Sequence, residues 1–124
     1  MVRALSGEAM LVRIFIGEDD RFRGQPLSTA LVERLRREGF AGATVFHGVA
    51  GFGARSVLHT TSLLRLSEDL PVVIEIVEEE ARVPALEAIL SEMMREGLVT
   101  LERVRVIRYA PEEAGLREAR RGRR

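Results

Sequence analysis

The order of strand-like and helix-like segments limits the fold of this chain more than any other feature. Apolar residues recur at every second position in residues 10–16 and 72–77, as they do in strands that bury one face. Residues 43–49 and 101–109 are the other two predicted strands. With one helix after the first strand and one after the third, the order is β-α-β-β-α-β.

The two helices are predicted from apolar residues at helical spacing. The first begins at Pro26, where a helix loses no backbone hydrogen bond, and ends before Gly39. The second covers residues 82–96 and ends at Gly97, with the acidic run 78–80 placed to complement its positive N-terminus. The apolar residues that should face the sheet are Leu27, Ala30, Leu31 and Leu35 in the first helix, and Val83, Leu86, Ile89, Leu90, Met93 and Met94 in the second.

This order predicts an α+β fold of the ferredoxin-like split β-α-β-β-α-β type, with a four-stranded antiparallel sheet and both helices on one face. The segments Arg37-Glu38-Gly39-Phe40 and Arg95-Glu96-Gly97-Leu98 form a weak internal repeat, and each is expected to close a helix before a strand. Val12, Ile14, Val72, Ile74 and Ile76 should then contact the helices.

The opposite face of the sheet should carry apolar side chains around a central charge pair. Phe15, Val73 and Val77 share that face with Arg13 and Glu75, which lie on adjacent central strands and are able to pair. A solvent-exposed face rarely holds so much apolar surface. We therefore expect other subunits to cover it.

Composition excludes several classes of chemistry. The 124 residues suffice for one domain, contain no cysteine and include no lysine, so all 19 basic residues are arginine. Thiolate catalysis, sulfur-ligated zinc, a Schiff base and a Walker-type phosphate lysine are excluded. The formal net charge is zero, so nucleic acid is not an expected partner. No apolar run could cross a bilayer, and we expect a cytoplasmic protein.

Three stretches together resemble one family. They are I-G-E-D-D-R-F-R-G-Q-P-L at 16–27, G-V-A-G-F-G-A at 48–54 and L-L-R-L-S-E-D-L-P-V-V-I-E-I-V at 63–77. They resemble the PII-like family known as domain of unknown function 190, and the resemblance covers residues 9–109. It implies a subunit related to the nitrogen-regulatory PII proteins and to the CutA cation-tolerance proteins, which assemble as trimers with their sheets inside. In PII proteins, adenine nucleotides bind in clefts between subunits, near the base of a long loop that corresponds to residues 51–70 here.

The glycine-rich stretch after the second strand supplies the candidate nucleotide site. Glycine allows backbone N–H groups to approach an anion closely, arginine adds charge, and an aromatic ring can pack on a base. The candidate nucleotide-binding residues are Gly48, Gly51, Phe52, Gly53, Ala54, Arg55, Arg21 and Arg23. The alternatives stay open: the glycines can serve a bulge or tight turn, and Arg21 and Arg23 can pair with Glu18, Asp19 or Asp20.

The sequence contains no nucleophile with a base at a suitable spacing, so we do not expect an enzyme. We expect a homotrimeric signalling protein without a tightly bound cofactor. Its effector would be an adenine nucleotide (ATP, ADP, AMP or cyclic AMP), and residues 51–70 would act on a partner. The resemblance implies a membrane transporter or ion channel as that partner. Residues 1–8 are predicted to be an N-terminal extension and residues 110–124 a disordered arginine-rich tail.

Two alternatives remain at this point. One is a CutA-like trimer that binds divalent cations through its acidic and histidine side chains. The other is a metabolic enzyme with an active site between subunits. Uridylylation in the PII manner is not expected, because Tyr109 is the only tyrosine and lies in the fourth predicted strand.

Overall fold

The computed structural model describes residues 7–53 and 69–109. The described elements, in chain order, are β1 (Gly7–Gly17), β2 (Arg21–Phe22), β3 (Gln25–Pro26), α1 (Leu27–Arg37), β4 (Thr44–His47), β5 (Pro71–Glu78), a 3-10 turn (Glu80–Arg82), α2 (Val83–Met93) and β6 (Leu98–Val106). None of the described helices is long and apolar enough to cross a membrane.

One antiparallel sheet organises the fold, with its four strands in the order β4-β5-β1-β6. The short strands β2 and β3 form a separate hairpin between β1 and α1. This is the predicted α+β, ferredoxin-like arrangement, and the fold class is confirmed. The hairpin lies in a segment predicted as a charged loop.

The core lies between the two helices and one face of the sheet. Every second residue of the two central strands is buried there, because successive side chains of a strand point to opposite faces. The five strand residues predicted to contact the helices are all in this core: Val12, Ile14, Val72, Ile74 and Ile76. The helices contribute Leu27, Ala30, Leu31, Leu35, Leu86, Ile89, Leu90 and Met93.

The first helix begins and ends as the sequence predicts. Pro26 precedes its first turn, and basic side chains occupy its last turn, where they face the negative end of the helix dipole. Gly39 follows with φ of 76°, a left-handed conformation in which glycine carries no steric penalty.

The second helix ends earlier than predicted, and the prediction that Gly97 ends it is wrong. α2 stops at Met93, because Met94 is already extended with φ of −100° and ψ of 137°. Gly97 instead brings the chain against the end of β1, where a Cβ would lie 2.8 Å from the carbonyl oxygen of Phe15. Pairing with β1 therefore starts at Leu98, and β6 occupies residues 98–106 rather than 101–109.

The outer face of the sheet, opposite the helices, combines apolar residues with a central ion pair. Phe15, Val73 and Val77 are half-buried there. Arg13 Nε donates to Glu75 at 2.8 Å, which confirms the predicted pairing, and its Nη1 donates to Glu102 on β6 at 2.7 Å.

The three glutamates of the acidic run 78–80 do not all complement the N-terminus of α2 as the sequence predicted. Glu78 belongs to β5 and is 0 % exposed. Its carboxylate accepts hydrogen bonds from the backbone N–H groups of Ala41 at 3.1 Å and Glu79 at 2.9 Å. Glu80 pairs with Arg103 of β6 at 2.9 Å. The alternation of β5 places Glu78 on the core side, a position that the prediction overlooked.

Candidate functional site

A pocket of about 520 Å³ opens at one end of the sheet, where β1 ends and where β5 and β6 begin. Four separate chain segments form it, and most of its polar groups come from turns. Its lining residues are Phe15, Ile16, Gly17, Asp20, Gly51, Phe52, Gly53, Asp69, Pro71, Glu96, Gly97 and Leu98.

Backbone hydrogen bonds hold three of these segments together. The N–H of Glu18 donates to the carbonyl of Leu70 at 2.8 Å, and the N–H of Gly48 donates to the carbonyl of Pro71 at 2.7 Å. The start of β5 is thereby fixed between the turn after β1 and the segment after β4. The position of Pro71 in the wall of the pocket follows from these two contacts.

The glycine-rich stretch packs closely on Pro71. A Cβ on Gly48 would lie 2.5 Å from Pro71 Cγ, and one on Gly51 would lie 3.0 Å from the same atom. Gly51 also has φ of 155°, which other residues rarely adopt. These two glycines are therefore required for close approach of the backbone to β5.

Two carboxylates in the lining of the pocket accept hydrogen bonds from the backbone around Gly17. Asp20 Oδ2 accepts from the N–H of Gly17 at 2.9 Å, and Asp69 Oδ1 accepts from the N–H of Asp19 at 2.9 Å. Asp69 has φ of 51°, one of the few positive values at a residue other than glycine among the described residues. Such backbone conformations cost free energy and persist where the surroundings hold them.

The walls of the pocket are apolar and partly open to solvent. Phe52 is 69 % exposed and Leu98 is 57 % exposed. Phe15 and Leu98 are register partners on the outer face of the sheet. The pocket thus reaches from the end of the sheet onto the face that we expect other subunits to cover.

The structure brings together only part of the predicted site. Gly51, Phe52 and Gly53 line the pocket, and Gly48 supports it through Pro71. Arg21 and Arg23 lie in the β2–β3 hairpin and are not among its lining residues. Arg23 instead places its guanidinium 5.0 Å from the centre of the Phe22 ring. Ala54 and Arg55 lie outside the described residues, as do most of 51–70 and the predicted tail.

Several lining residues were not predicted as site residues: Gly17, Asp20, Asp69, Glu96 and Gly97. The only available signal was that Gly17, Asp69 and Gly97 lie at or near the ends of three predicted strands. In the structure those strand ends meet at one end of the sheet. The described residues contain no group of three or more His, Asp or Glu side chains that could hold a metal ion.

Comparison with known proteins identifies the family. Residues 9–106 match the family model DUF190, described as "Uncharacterized ACR, COG1993". The chain belongs to this family. A UPF0166 protein of Aquifex aeolicus is 43% identical over 98 residues, which cover 78% of this chain and 91% of that protein. A UPF0166 protein of Methanocaldococcus jannaschii is 38% identical over 76 residues, which cover 61% of this chain and 69% of that protein. The resemblance seen in the sequence is confirmed.

Solved structures of PII-like proteins share the fold of this DUF190 member. The structure of CPII from Thiomonas intermedia, bound to ADP and bicarbonate, aligns with a TM-score of 0.56 at 16% identity, covering 87% of this chain and 95% of that one. A PII-like signaling protein from Thermus thermophilus aligns with a TM-score of 0.57 at 20% identity, covering 83% and 94%. At these identities the similarity establishes a PII-like fold.

Proposed function

We propose that this DUF190 protein is a regulatory subunit that binds an adenine nucleotide in the pocket at the end of its sheet. The observation that carries the proposal is the pocket itself. It combines exposed Phe52, apolar Leu98 and turn backbone at the point where residues 51–70 join the sheet. Its volume, about 520 Å³, is within the range of small-molecule sites.

The shared fold supports a nucleotide as the ligand. The Thiomonas protein, whose chain aligns with most of this one, was solved with ADP and bicarbonate, and in a second structure with ADP, AMP and bicarbonate. The exposed ring of Phe52 offers a surface for an adenine base. We propose ATP, ADP, AMP or cyclic AMP as an exchangeable effector rather than a tightly bound cofactor.

We further propose that the protein is a homotrimer and that the pocket lies in the cleft between subunits. Phe15 and Leu98 belong both to the pocket and to the outer face of the sheet. A neighbouring subunit on that face would also bury the ion pair of Arg13 with Glu75. Ligand binding and assembly would then depend on the same surface.

In this proposal the protein regulates a partner and catalyses no reaction. Nucleotide binding at the base of residues 51–70 favours one arrangement of that segment, which then docks on the partner. A cytoplasmic protein of this kind could act on a membrane transporter or ion channel. The cation-binding and enzymatic alternatives are supported by no specific feature of residues 7–53 and 69–109.

The phosphate groups require positive charge that the described part of the pocket lining does not supply. Arg55, which follows the glycine-rich stretch, remains the foremost candidate from the sequence, together with the backbone of Gly53 and Ala54. Arg21 and Arg23 remain proposed phosphate contacts, although neither lines the pocket of a single subunit.

Isothermal titration calorimetry with ATP, ADP, AMP and cyclic AMP tests the function, with sedimentation analysis of the same samples for oligomeric state. Saturable binding that Arg55→Ala weakens, with the oligomer intact, supports the proposal. Arg108→Ala, at an exposed position outside the pocket lining, is the matched control. If none of the four nucleotides binds the wild-type protein, the proposed function is wrong.

A further inference from the structure

The ionisable side chains in the described lining of the pocket are all acidic. Asp20, Asp69 and Glu96 contribute carboxylates, and no arginine or histidine is present among the described lining residues. Phosphate groups placed beside these carboxylates would be repelled. The same carboxylates are strong acceptors for hydroxyl groups.

Three features of the structure describe the position of Asp69. Its backbone has φ of 51°, and its Oδ1 accepts the N–H of Asp19 at 2.9 Å. Its carboxylate also lies directly against Gly17, where a Cβ would be 2.3 Å from Oδ1 and 2.8 Å from Oδ2. Only glycine at position 17 allows this placement.

Each of the two aspartates keeps acceptor capacity. Asp20 uses Oδ2 for the N–H of Gly17, and Asp69 uses Oδ1 for the N–H of Asp19. An ionised carboxylate has about four lone-pair sites. Each aspartate uses one of these sites for a backbone N–H and therefore keeps acceptor sites for a ligand.

We propose that Asp69, together with Asp20, accepts hydrogen bonds from the ribose hydroxyl groups of the bound nucleotide and makes the pocket selective for ribonucleotides. This inference rests on the proposed function and specifies which end of the ligand the described pocket holds. The nucleoside lies between the apolar walls and the two carboxylates, and the phosphates point away from them. Recognition of ribose hydroxyls by a carboxylate is a common solution in nucleotide-binding proteins.

The test compares ADP with 2′-deoxy-ADP and 3′-deoxy-ADP by calorimetry on the full chain. The wild-type protein should bind ADP roughly tenfold more tightly than at least one deoxy analogue, because a hydrogen bond to a charged group is lost. Asp69→Asn should reduce that ratio to about one. Asparagine tolerates the positive φ and retains an oxygen for the N–H of Asp19, but replaces the other acceptor by a donor.

Two further variants separate a role in binding from a role in folding. Asp19→Asn removes the same charge from an exposed neighbour outside the lining, and it should keep the wild-type ratio. Gly17→Ala places a methyl group where the Asp69 carboxylate lies, and it should reduce the ratio as Asp69→Asn does.

The outcomes distinguish this inference from the function on which it rests. If ADP and both deoxy analogues bind the wild-type protein equally, or if Asp69→Asn keeps the ratio, ribose recognition is wrong while nucleotide binding stands. If Mg²⁺ alone binds and Asp69→Asn abolishes that binding, the carboxylates hold a cation instead. If none of ATP, ADP, AMP and cyclic AMP binds the wild-type protein, both proposals fall.

Discussion

Arg13 joins two carboxylates from different strands across the outer face of the sheet. Its Nε lies 2.8 Å from Glu75 on β5, and its Nη1 lies 2.7 Å from Glu102 on β6. These hydrogen bonds raise the pKa of the guanidinium, with Glu75 the larger cause. Arg13 is therefore the cation that Glu75 and Glu102 share on this face.

In the proposed homotrimer, that arrangement predicts how strongly variants of Arg13 and Glu75 weaken self-association. Arg13→Ala leaves Glu75 and Glu102 without their shared cation, whereas Glu75→Ala leaves Arg13 paired with Glu102. We expect Arg13→Ala to weaken self-association more than Glu75→Ala, because an unpaired charge in a covered face is costly. Sedimentation equilibrium measures the self-association of both variants. Equal association of both variants and the wild type would contradict burial of this face.

The buried carboxylate of Glu78 should contribute strongly to stability. It accepts the N–H groups of Ala41 and Glu79, and its Oε1 lies 4.0 Å from Arg82 Nε. Glu78→Ala leaves two backbone donors without this acceptor and should lower the free energy of unfolding by about 3 kcal/mol. Urea denaturation followed by circular dichroism measures the loss. Glu87→Ala, at an exposed position of α2, should have almost no effect.

Acid should weaken the contact between the two helices. Arg34 hydrogen-bonds Glu92 across α1 and α2 at 2.7 Å and 3.1 Å, and this interaction lowers the pKa of Glu92 from its ordinary value of 4.5. The folded state thus favours the ionised carboxylate. The stabilisation is complete above pH 4.5 and is lost as the pH falls through the lower, folded-state pKa.

The variant Glu92→Gln tests whether this stabilisation is lost toward low pH. The variant should have a lower urea midpoint than the wild type at pH 7, and the difference should shrink in acid and disappear below the folded-state pKa. The difference should also be smaller at high salt, since the pair lies at the surface. A difference that grows toward low pH would refute the assignment.

Gly97→Ala should affect both folding and ligand binding. Gly97 has φ of 135°, and a Cβ there would lie 2.7 Å from Met94 Cε and 2.8 Å from the carbonyl oxygen of Phe15. We expect a loss of roughly 2 kcal/mol in unfolding free energy from backbone strain and steric overlap. Weaker ADP binding should accompany it, because Gly97 lines the pocket. Gly42→Ala is the control, since nothing lies within 4 Å of its Cβ position.

Local patterns predicted most of the scaffold. The alternation around Val12 and Ile74 identifies the central strands, because a strand half-covered by helices must bury every second side chain. The stripe from Leu27 to Leu35 identifies α1 for the same reason at helical spacing. The order of these elements was sufficient for the ferredoxin-like fold.

Glycine shows where local patterns fail. Gly39 and Gly97 occur in matching tetrapeptides, and both were predicted to end a helix. Gly39 lies two residues after the end of α1 and has the left-handed conformation, whereas Gly97 lies four residues after the end of α2 and packs on Phe15. A glycine can provide either a left-handed turn or a close approach, and the local sequence does not distinguish the two.

The sequence by itself determined the family, the fold class and the faces of the strands and helices, and it predicted Gly51, Phe52 and Gly53 as site residues. Only the tertiary structure showed that these residues share a pocket with Asp20, Asp69 and Glu96, and that Arg21 and Arg23 lie outside its lining. The physical reason is that the residues of the pocket lie far apart along the chain. Periodicity reports which face of an element is buried, but the sheet register decides which strand ends meet.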